Sequence, residues 1–350
     1  MSTQQQVFRL PQRTSPHDLQ VENEPIPEPS SQEVLIHIRS VALNFRDLAV
    51  AVGKYPFPVK DGVTPCSDLA GDVVKVGANV EGFSEGDKVI SAFDLNTPYG
   101  PIKDWLHSLG GMIDGALREY IVLPASALIR VPSDTHLSYS QLAALVCTGA
   151  TAWNVLYGNV ALKPGQTVLF LDLIGTGGVS ITGLILAKAA GATTIITSSS
   201  DDKLNHVQKT YGADHVINYK TNPEWAKEVL KITDGRGADF IFENGGAGTI
   251  AQSMQAVAYG GSVAVVGFLA PCPQDQMPDV AGLALAKGAV VRGIVVGSKQ
   301  HLEEVTRYVV SRKLQVPVEK EFGFGRDEVI SAFGYLASDT HIGKVCIKVA

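Results

Sequence analysis

The feature that most constrains this chain is a sustained alternation of short apolar runs and helical patterns from Leu162 onward. Thr167–Leu171, Thr194–Thr197, Asp214–Ile217, Ala238–Phe242 and Ser262–Val266 read as strands. Val179–Ala190, Asp202–Tyr211, Pro223–Thr233 and Ile250–Ala258 read as the helices between them, the first with Ile181, Leu184, Ile185 and Lys188 at helical spacing. Strands this apolar need cover on both faces, and the intervening helices supply it, so the pattern predicts a parallel sheet. Right-handed crossovers then make it doubly wound, an α/β fold.

The half before Leu162 has another texture. Val34, Ile36 and Ile38 alternate with Leu35, His37 and Arg39 at period two, as in a half-buried strand. Glycines at 71, 77, 82 and 86 break the next stretch into strand, turn, turn and strand, the punctuation of a small β-barrel. Pro25, Pro27 and Pro29 mark an early extended linker. The tail from Phe324 carries one helix (Asp327–Ala337) and a last strand (Lys344–Val349). At 350 residues, two domains fit this change of rhythm.

A net charge of −6 argues against a surface built for nucleic-acid phosphates or an anionic membrane. With 45% hydrophobic and 18% charged residues the chain can bury a core, which excludes wholesale disorder. The four cysteines, at 66, 147, 272 and 346, form no CxxC pair, so neither a structural zinc site nor a redox dithiol is expected. No secretory signal opens the sequence and charged residues break its longest apolar runs, so a cytoplasmic protein without a membrane span is expected.

Between the first strand and helix of the alternating half lies Gly175-Thr176-Gly177-Gly178-Val179-Ser180. Glycines at such a turn let backbone amides approach a pyrophosphate, which then meets the positive end of the helix dipole. Ser180 stands where a third glycine would; it is small enough to pack on the strand. An ordinary strand–helix turn is the plainer alternative. At the end of the second strand, where an NAD-binding sheet places an acid on the ribose, stand Thr197, Ser198, Ser199 and Ser200, with Asp201, Asp202 and Lys203 following. Hydroxyls and a lysine suit a 2′-phosphate and favour NADP(H). The competing reading is that the serines cap the next helix and Lys203 is solvated.

The Gly71–Val89 pattern, the Gly175–Ser180 loop and the Gly267 region together resemble the medium-chain dehydrogenase/reductase superfamily, most closely its zinc-independent, quinone-reductase-like members. The resemblance spans nearly the whole chain. It implies a GroES-like barrel from residues 1–131 and 324–350, with a Rossmann dinucleotide-binding domain over 132–323 inserted between. The zinc ligands of the alcohol dehydrogenases in this superfamily correspond here to Asn44, Ser67 and the neighbourhood of Ala144, and the segment Ser91–Gly111 lacks the four cysteines of their second site. No metal is therefore expected.

Residue by residue, the resemblance places Asn44 and Asp47 beside the nicotinamide, although the pair reads equally as a helix N-cap with an acid in its first turn. Thr148 resembles a threonine that contacts the cofactor ring end; a helix-start hydroxyl is the alternative. Lys203 and Tyr219 resemble the pair around the adenosine 2′-phosphate, although Tyr219 reads equally as a solvated aromatic at a strand end. Asn244, with Gly267, Phe268 and Leu269, resembles the nicotinamide-side contacts. The long segment Ser91–Tyr120 reads as a wall of the substrate pocket, Trp105 its apolar face, or as a plain barrel insertion.

The expected chemistry is NADPH-dependent reduction of a quinone or an α,β-unsaturated carbonyl, with Asn44, a cofactor ribose hydroxyl or Tyr55 stabilising the developing oxyanion. A zinc-free carbonyl or enoyl-thioester reductase and a non-catalytic NADPH-binding protein are the competing readings. The apolar run Val290–Val296 reads as an edge strand. An unpaired edge of that kind invites pairing with a second copy, so a homodimer is expected.

Overall fold

The computed structural model describes residues 3–171 and 177–349. It divides into two compact units. One comprises Met1–Ala150 with Gly297–Ala350, the other Thr151–Val296.

The first unit begins with an antiparallel pair, β1 (Gln4–Arg9) and β2 (Gln20–Pro25). There follow β3 (Glu33–Ala42), α1 (Phe45–Ala51), β4 (Asp68–Val76), β5 (Lys88–Ser91), β6 (Tyr120–Pro124) and β7 (Leu128–Arg130). The second unit is reached within α2 (Tyr139–Tyr157). Its series is β8 (Thr167–Phe170), α3 (Gly178–Ala189), β9 (Thr193–Ser198), α4 (Asp201–Tyr211), β10 (His215–Asn218), α5 (Trp225–Ile232), β11 (Ala238–Glu243), α6 (Ile250–Ala256), β12 (Val257–Val265), α7 (Val280–Lys287) and β13 (Val290–Gly293). The chain then completes the first unit with α8 (Lys299–Ser311), β14 (Val318–Phe322), α9 (Arg326–Ala337) and β15 (Lys344–Lys348).

In the first unit seven strands run in the order β14-β15-β3-β4-β5-β7, with β6 also on β3. The last strand returns to the first half of the chain: β15 lies antiparallel to β3, with Ile347 opposite Val41. Ile36, Ile38, Leu69 and Phe333 are fully buried in its core. Leu35 is buried as well, so the inward–outward alternation of β3 is clean only from Ile36 to Arg39.

The second unit is a six-stranded parallel sheet, β10-β9-β8-β11-β12-β13. From β8 the chain steps outward to β9 and β10, then crosses back to β11 on the other side. That reversal is the topological switch at which open α/β sheets bind ligands, beyond the carboxyl ends of the strands. α3 packs tightly over the switch: a Cβ on Gly183 would fall 2.7 Å from a ring carbon of Phe170 and 3.0 Å from the Phe242 ring. The apolar periodicity anticipates this unit well because buried parallel strands have no polar face. Two strands depart from it. β12 starts at Val257 rather than Ser262, through a register shift against β11 with Gly260 at φ +73. β13 stops at Gly293, and Val296 turns the chain at φ +46; β13 nonetheless ends the sheet. Among the described residues no helix is long and apolar enough to cross a membrane.

Candidate active site

The residues assigned to the cofactor by sequence fall, in the second unit, along one edge of the parallel sheet. Gly175 and Thr176 lie outside the described residues. Gly177 is the N-cap of α3, and Gly178 and Val179 open its first turn. Ser199 lies between β9 and α4, where Ser200 Oγ accepts from Lys203 N at 3.4 Å and so caps the helix. Tyr219 follows β10, and its amide donates to Ser198 O at 3.1 Å, which draws the ends of β9 and β10 together. Asn244 follows β11; Gly267, Phe268 and Leu269 follow β12.

Hydrogen bonds fix the backbone of this edge. Asn244 Nδ2 donates to Leu171 O at 2.6 Å and to Ser180 Oγ at 2.8 Å, and Ser180 Oγ in turn donates to Leu171 O at 3.2 Å. One amide thereby ties the end of β8, the first turn of α3 and the end of β11. Leu269 N donates to Asn244 O at 3.2 Å, and a Cβ on Gly267 would lie 2.5 Å from that oxygen, so only glycine permits the approach. Glu243, fully buried, completes the frame. Its carboxylate accepts from Gly245 N at 2.8 Å, Gly246 N at 2.9 Å, Thr249 Oγ1 at 2.5 Å and Ser253 Oγ. The sequence gives Glu243 no role; it follows the strand expected over Ala238–Phe242.

In the first unit Asn44 is the N-cap of α1 and Asp47 the acid of its first turn, Asp47 Oδ2 accepting from Asn44 N at 2.8 Å. Asp47 is completely buried, and burial raises its carboxyl pKa to about 6 despite the nearby Arg46. Arg46 donates to Leu109 O at 2.7 Å and lies between the rings of Tyr55 (5.3 Å) and Phe93 (4.9 Å). Tyr55 adjoins an aromatic pair: Phe57 and Trp105 stack at 3.7 Å, and Tyr55 meets Phe57 edge-on at 5.4 Å. Burial raises the Tyr55 hydroxyl above its ordinary pKa, which keeps it a donor. Thr148 lies inside α2 rather than at a helix start, and its hydroxyl donates to Ala144 O at 2.6 Å.

Two residues given no functional role by the sequence complete this cluster. Asp68 accepts from Ser67 Oγ at 2.6 Å and from Cys147 N at 3.1 Å. Lys344, almost wholly buried, places Nζ 2.6 Å from Leu43 O, 2.7 Å from Asn44 Oδ1 and 3.6 Å from Asp68 Oδ2. Lys344 stands 300 residues from Asn44 in the chain, and nothing local signals their meeting. Among the described residues, three neighbouring polar atoms have no hydrogen-bond partner although buried: Asn44 Nδ2, Arg46 Nε and Asp47 Oδ1. The nearby thiols are poor ligands, since burial pushes Cys66 well above its ordinary pKa and Cys147 up to about 12. Among the described residues no three His, Cys, Asp or Glu side chains group as a metal ion requires.

Residues 30–133 match the alcohol dehydrogenase GroES-like domain family, and residues 178–311 the zinc-binding dehydrogenase family. A zinc-type alcohol dehydrogenase-like protein of Schizosaccharomyces pombe is 41% identical over 322 residues, 91% of each chain. A quinone oxidoreductase-like protein 2 homolog of Nematostella vectensis is 29% identical over 328 residues, 91% of this chain and 82% of that protein. Among solved structures, a quinone oxidoreductase of Pseudomonas syringae pv. Tomato DC3000 superposes with a TM-score of 0.81 at 25% identity, over 99% of this chain and 100% of the other. With a GroES-like domain, a parallel dinucleotide-type sheet and relatives along nearly its whole length, this chain belongs to the medium-chain dehydrogenase/reductase superfamily of oxidoreductases.

Proposed function

We propose that this protein is a zinc-independent, NADPH-dependent reductase of quinones or α,β-unsaturated carbonyls. The observation that carries the reading is the buried side-chain amide of Asn44, whose Nδ2 is a donor without a hydrogen-bond partner among the described residues. A buried donor left unsatisfied is costly, and sites keep such groups where a reacting atom takes the bond.

The donor set does not suit a zinc ion. A lysine side chain holds Asn44 Oδ1 and adjoins Asp68 Oδ2, and burial raises both nearby thiols above their ordinary pKa. Negative charge on a substrate oxygen therefore falls to hydrogen-bond donors. The nicotinamide cofactor, when bound, supplies the hydride that adds to the β-carbon of an enone or to a quinone carbon. Asn44 Nδ2 donates to the oxygen on which charge develops, and the Tyr55 hydroxyl, kept protonated by burial, is the proton source together with water. Asp47 holds the turn that carries Asn44, through the bond to its backbone amide.

The cofactor lies along the carboxyl edge of the parallel sheet. Gly175, Thr176, Gly177, Gly178 and Val179 take the pyrophosphate at the start of α3. Ser199, Lys203 and Tyr219 take the adenosine 2′-phosphate, and Asn244, Gly267, Phe268 and Leu269 serve the nicotinamide end; in the first unit Thr148 is a separate cofactor contact. The fit is supported by the glycine N-cap of α3 and by the close approach that Gly267 alone allows. We also propose a cytoplasmic homodimer paired along β13, whose outer edge bonds to no strand of its own sheet; a monomeric mass in light scattering would refute the dimer.

Loss of NADPH absorbance with phenanthrenequinone or a simple enone, and much less with NADH, is the expected result. Consumption only with an enoyl thioester would move the substrate class, and no consumption with any acceptor would leave a cofactor-binding protein without this activity.

A further inference from the structure

Lys344 is the most deeply buried cation of the first unit's polar cluster, and the proposed reaction gives it no step of its own. We propose that Lys344 is a positioning residue, which locks the Asn44 side-chain amide so that Nδ2, and not Oδ1, is presented to the substrate oxygen. This rests on the reading of Asn44 as the oxyanion donor.

A side-chain amide has two faces of opposite polarity, exchanged by a half-turn that costs little in itself. In Asn44 the ambiguity is removed. Lys344 Nζ is a donor only, and at 2.7 Å it requires Oδ1. A flipped amide would set two donors, one of them charged, against each other. Nζ also occupies Leu43 O at 2.6 Å, the carbonyl that a freed Nδ2 could otherwise satisfy. The ammonium thus blocks the competing acceptor and claims the amide oxygen together, and Nδ2 is left unpartnered. Asp68, at 3.6 Å and held by Ser67 Oγ and Cys147 N, balances the charge that does this.

Removing Lys344 alone would strand the Asp68 carboxylate in the interior, so the test uses an Asp68→Asn background. Adding Lys344→Met should lower kcat by about tenfold relative to Asp68→Asn alone, as Nδ2 turns to Leu43 O, with KM and the NADPH Kd within about twofold. Adding Lys344→Gln instead, which keeps a donor for Oδ1 without the charge, should restore most of that loss. Equal kcat for the Met and Gln proteins, or a matching loss of NADPH affinity, would overturn the lock. Should the Met protein not fold, Lys344→Gln alone decides: a folded, NADPH-binding protein that loses kcat by tenfold or more refutes it.

The underlying reading fails separately. In Asn44→Asp the carboxylate pairs with Lys344 but cannot donate, so kcat should fall by about a hundredfold without loss of thermal stability. Retained kcat there sinks Asn44 as the donor. A dead Asn44→Asp protein beside an unaffected Lys344→Met protein sinks only the lock.

Discussion

The two polar regions of this molecule are built on opposite principles. At the carboxyl edge of the parallel sheet the key groups are satisfied: Glu243 accepts four donors, and Asn244 gives its amide hydrogens to Leu171 O and Ser180 Oγ. At the start of α1, Asn44 Nδ2, Arg46 Nε and Asp47 Oδ1 are buried without a hydrogen-bond partner among the described residues, and burial raises the Asp47 carboxyl pKa to about 6. A closed network rigidifies backbone, as a loop that cradles a cofactor needs; an open one keeps bonding capacity for something that arrives. On the proposed function, framework and chemistry are separated between the regions, and substitution can break either half of that contrast.

The largest effect is expected at Glu243. Glu243→Leu strands Gly245 N, Gly246 N and two hydroxyls in the interior, at a cost of about 4 kcal/mol in unfolding free energy. A shift of the urea midpoint worth less than about 1 kcal/mol would mean that this edge does not depend on its network, and the contrast would collapse.

Next is the pH dependence of Asp47. Its carboxyl pKa is raised from 3.8 to about 6 in the folded protein. The native state therefore holds a proton that the unfolded chain releases earlier, and stability falls as pH rises from about 4 through 6. Ionising Asp47 in place costs up to about 3 kcal/mol at neutral pH. Asp114 and Asp214, whose pKa values their lysine and backbone partners lower against the opposing effect of burial, act in the opposite sense, so the difference between native protein and Asp47→Asn isolates the effect. Urea unfolding across this range should show a smaller loss for Asp47→Asn. Parallel curves would show that Asp47 ionises freely and that the α1 cluster is not desolvated.

How much of this was legible in the chain follows from the same contrast. The alternation after Leu162 fixes the sheet because buried parallel strands must be apolar, and the glycines mark where backbone meets backbone, as at Gly267. Asn44 and Asp47 are visible as a local N-cap pattern, and the structure has them so. Lys344, Asp68 and Glu243 are not visible. Their partners lie far away in the chain or along a loop whose course depends on the sheet, and an isolated charge reads as solvated. α7 was missed for another reason: it buries none of its residues, and Leu285 is 85% exposed, so its apolar pattern has no polar counterpart to set a period.

The smallest effect sharpens the comparison most, because it asks whether the satisfied edge also discriminates between cofactors. Two acids, Asp201 and Asp202, open α4 beside the proposed 2′-phosphate contacts, where free carboxylates would repel the phosphate. Asp201 is not free. Asn218 at the end of β10 accepts from Lys220 N through Oδ1 at 3.0 Å, which leaves Nδ2 to donate to Asp201 Oδ1 at 2.7 Å. Asn218→Ala should release that carboxylate and lower the ratio of NADPH to NADH affinity by about threefold to fivefold, as befits an exposed contact below about 1 kcal/mol. Asp201→Asn in the same protein should restore the ratio, and the effect should shrink as salt is raised. Since only the ratio is read, the outcome does not depend on which cofactor the native protein prefers. A ratio unmoved at low salt would put Asp201 outside the reach of the ribose and leave discrimination to Ser199, Lys203 and Tyr219.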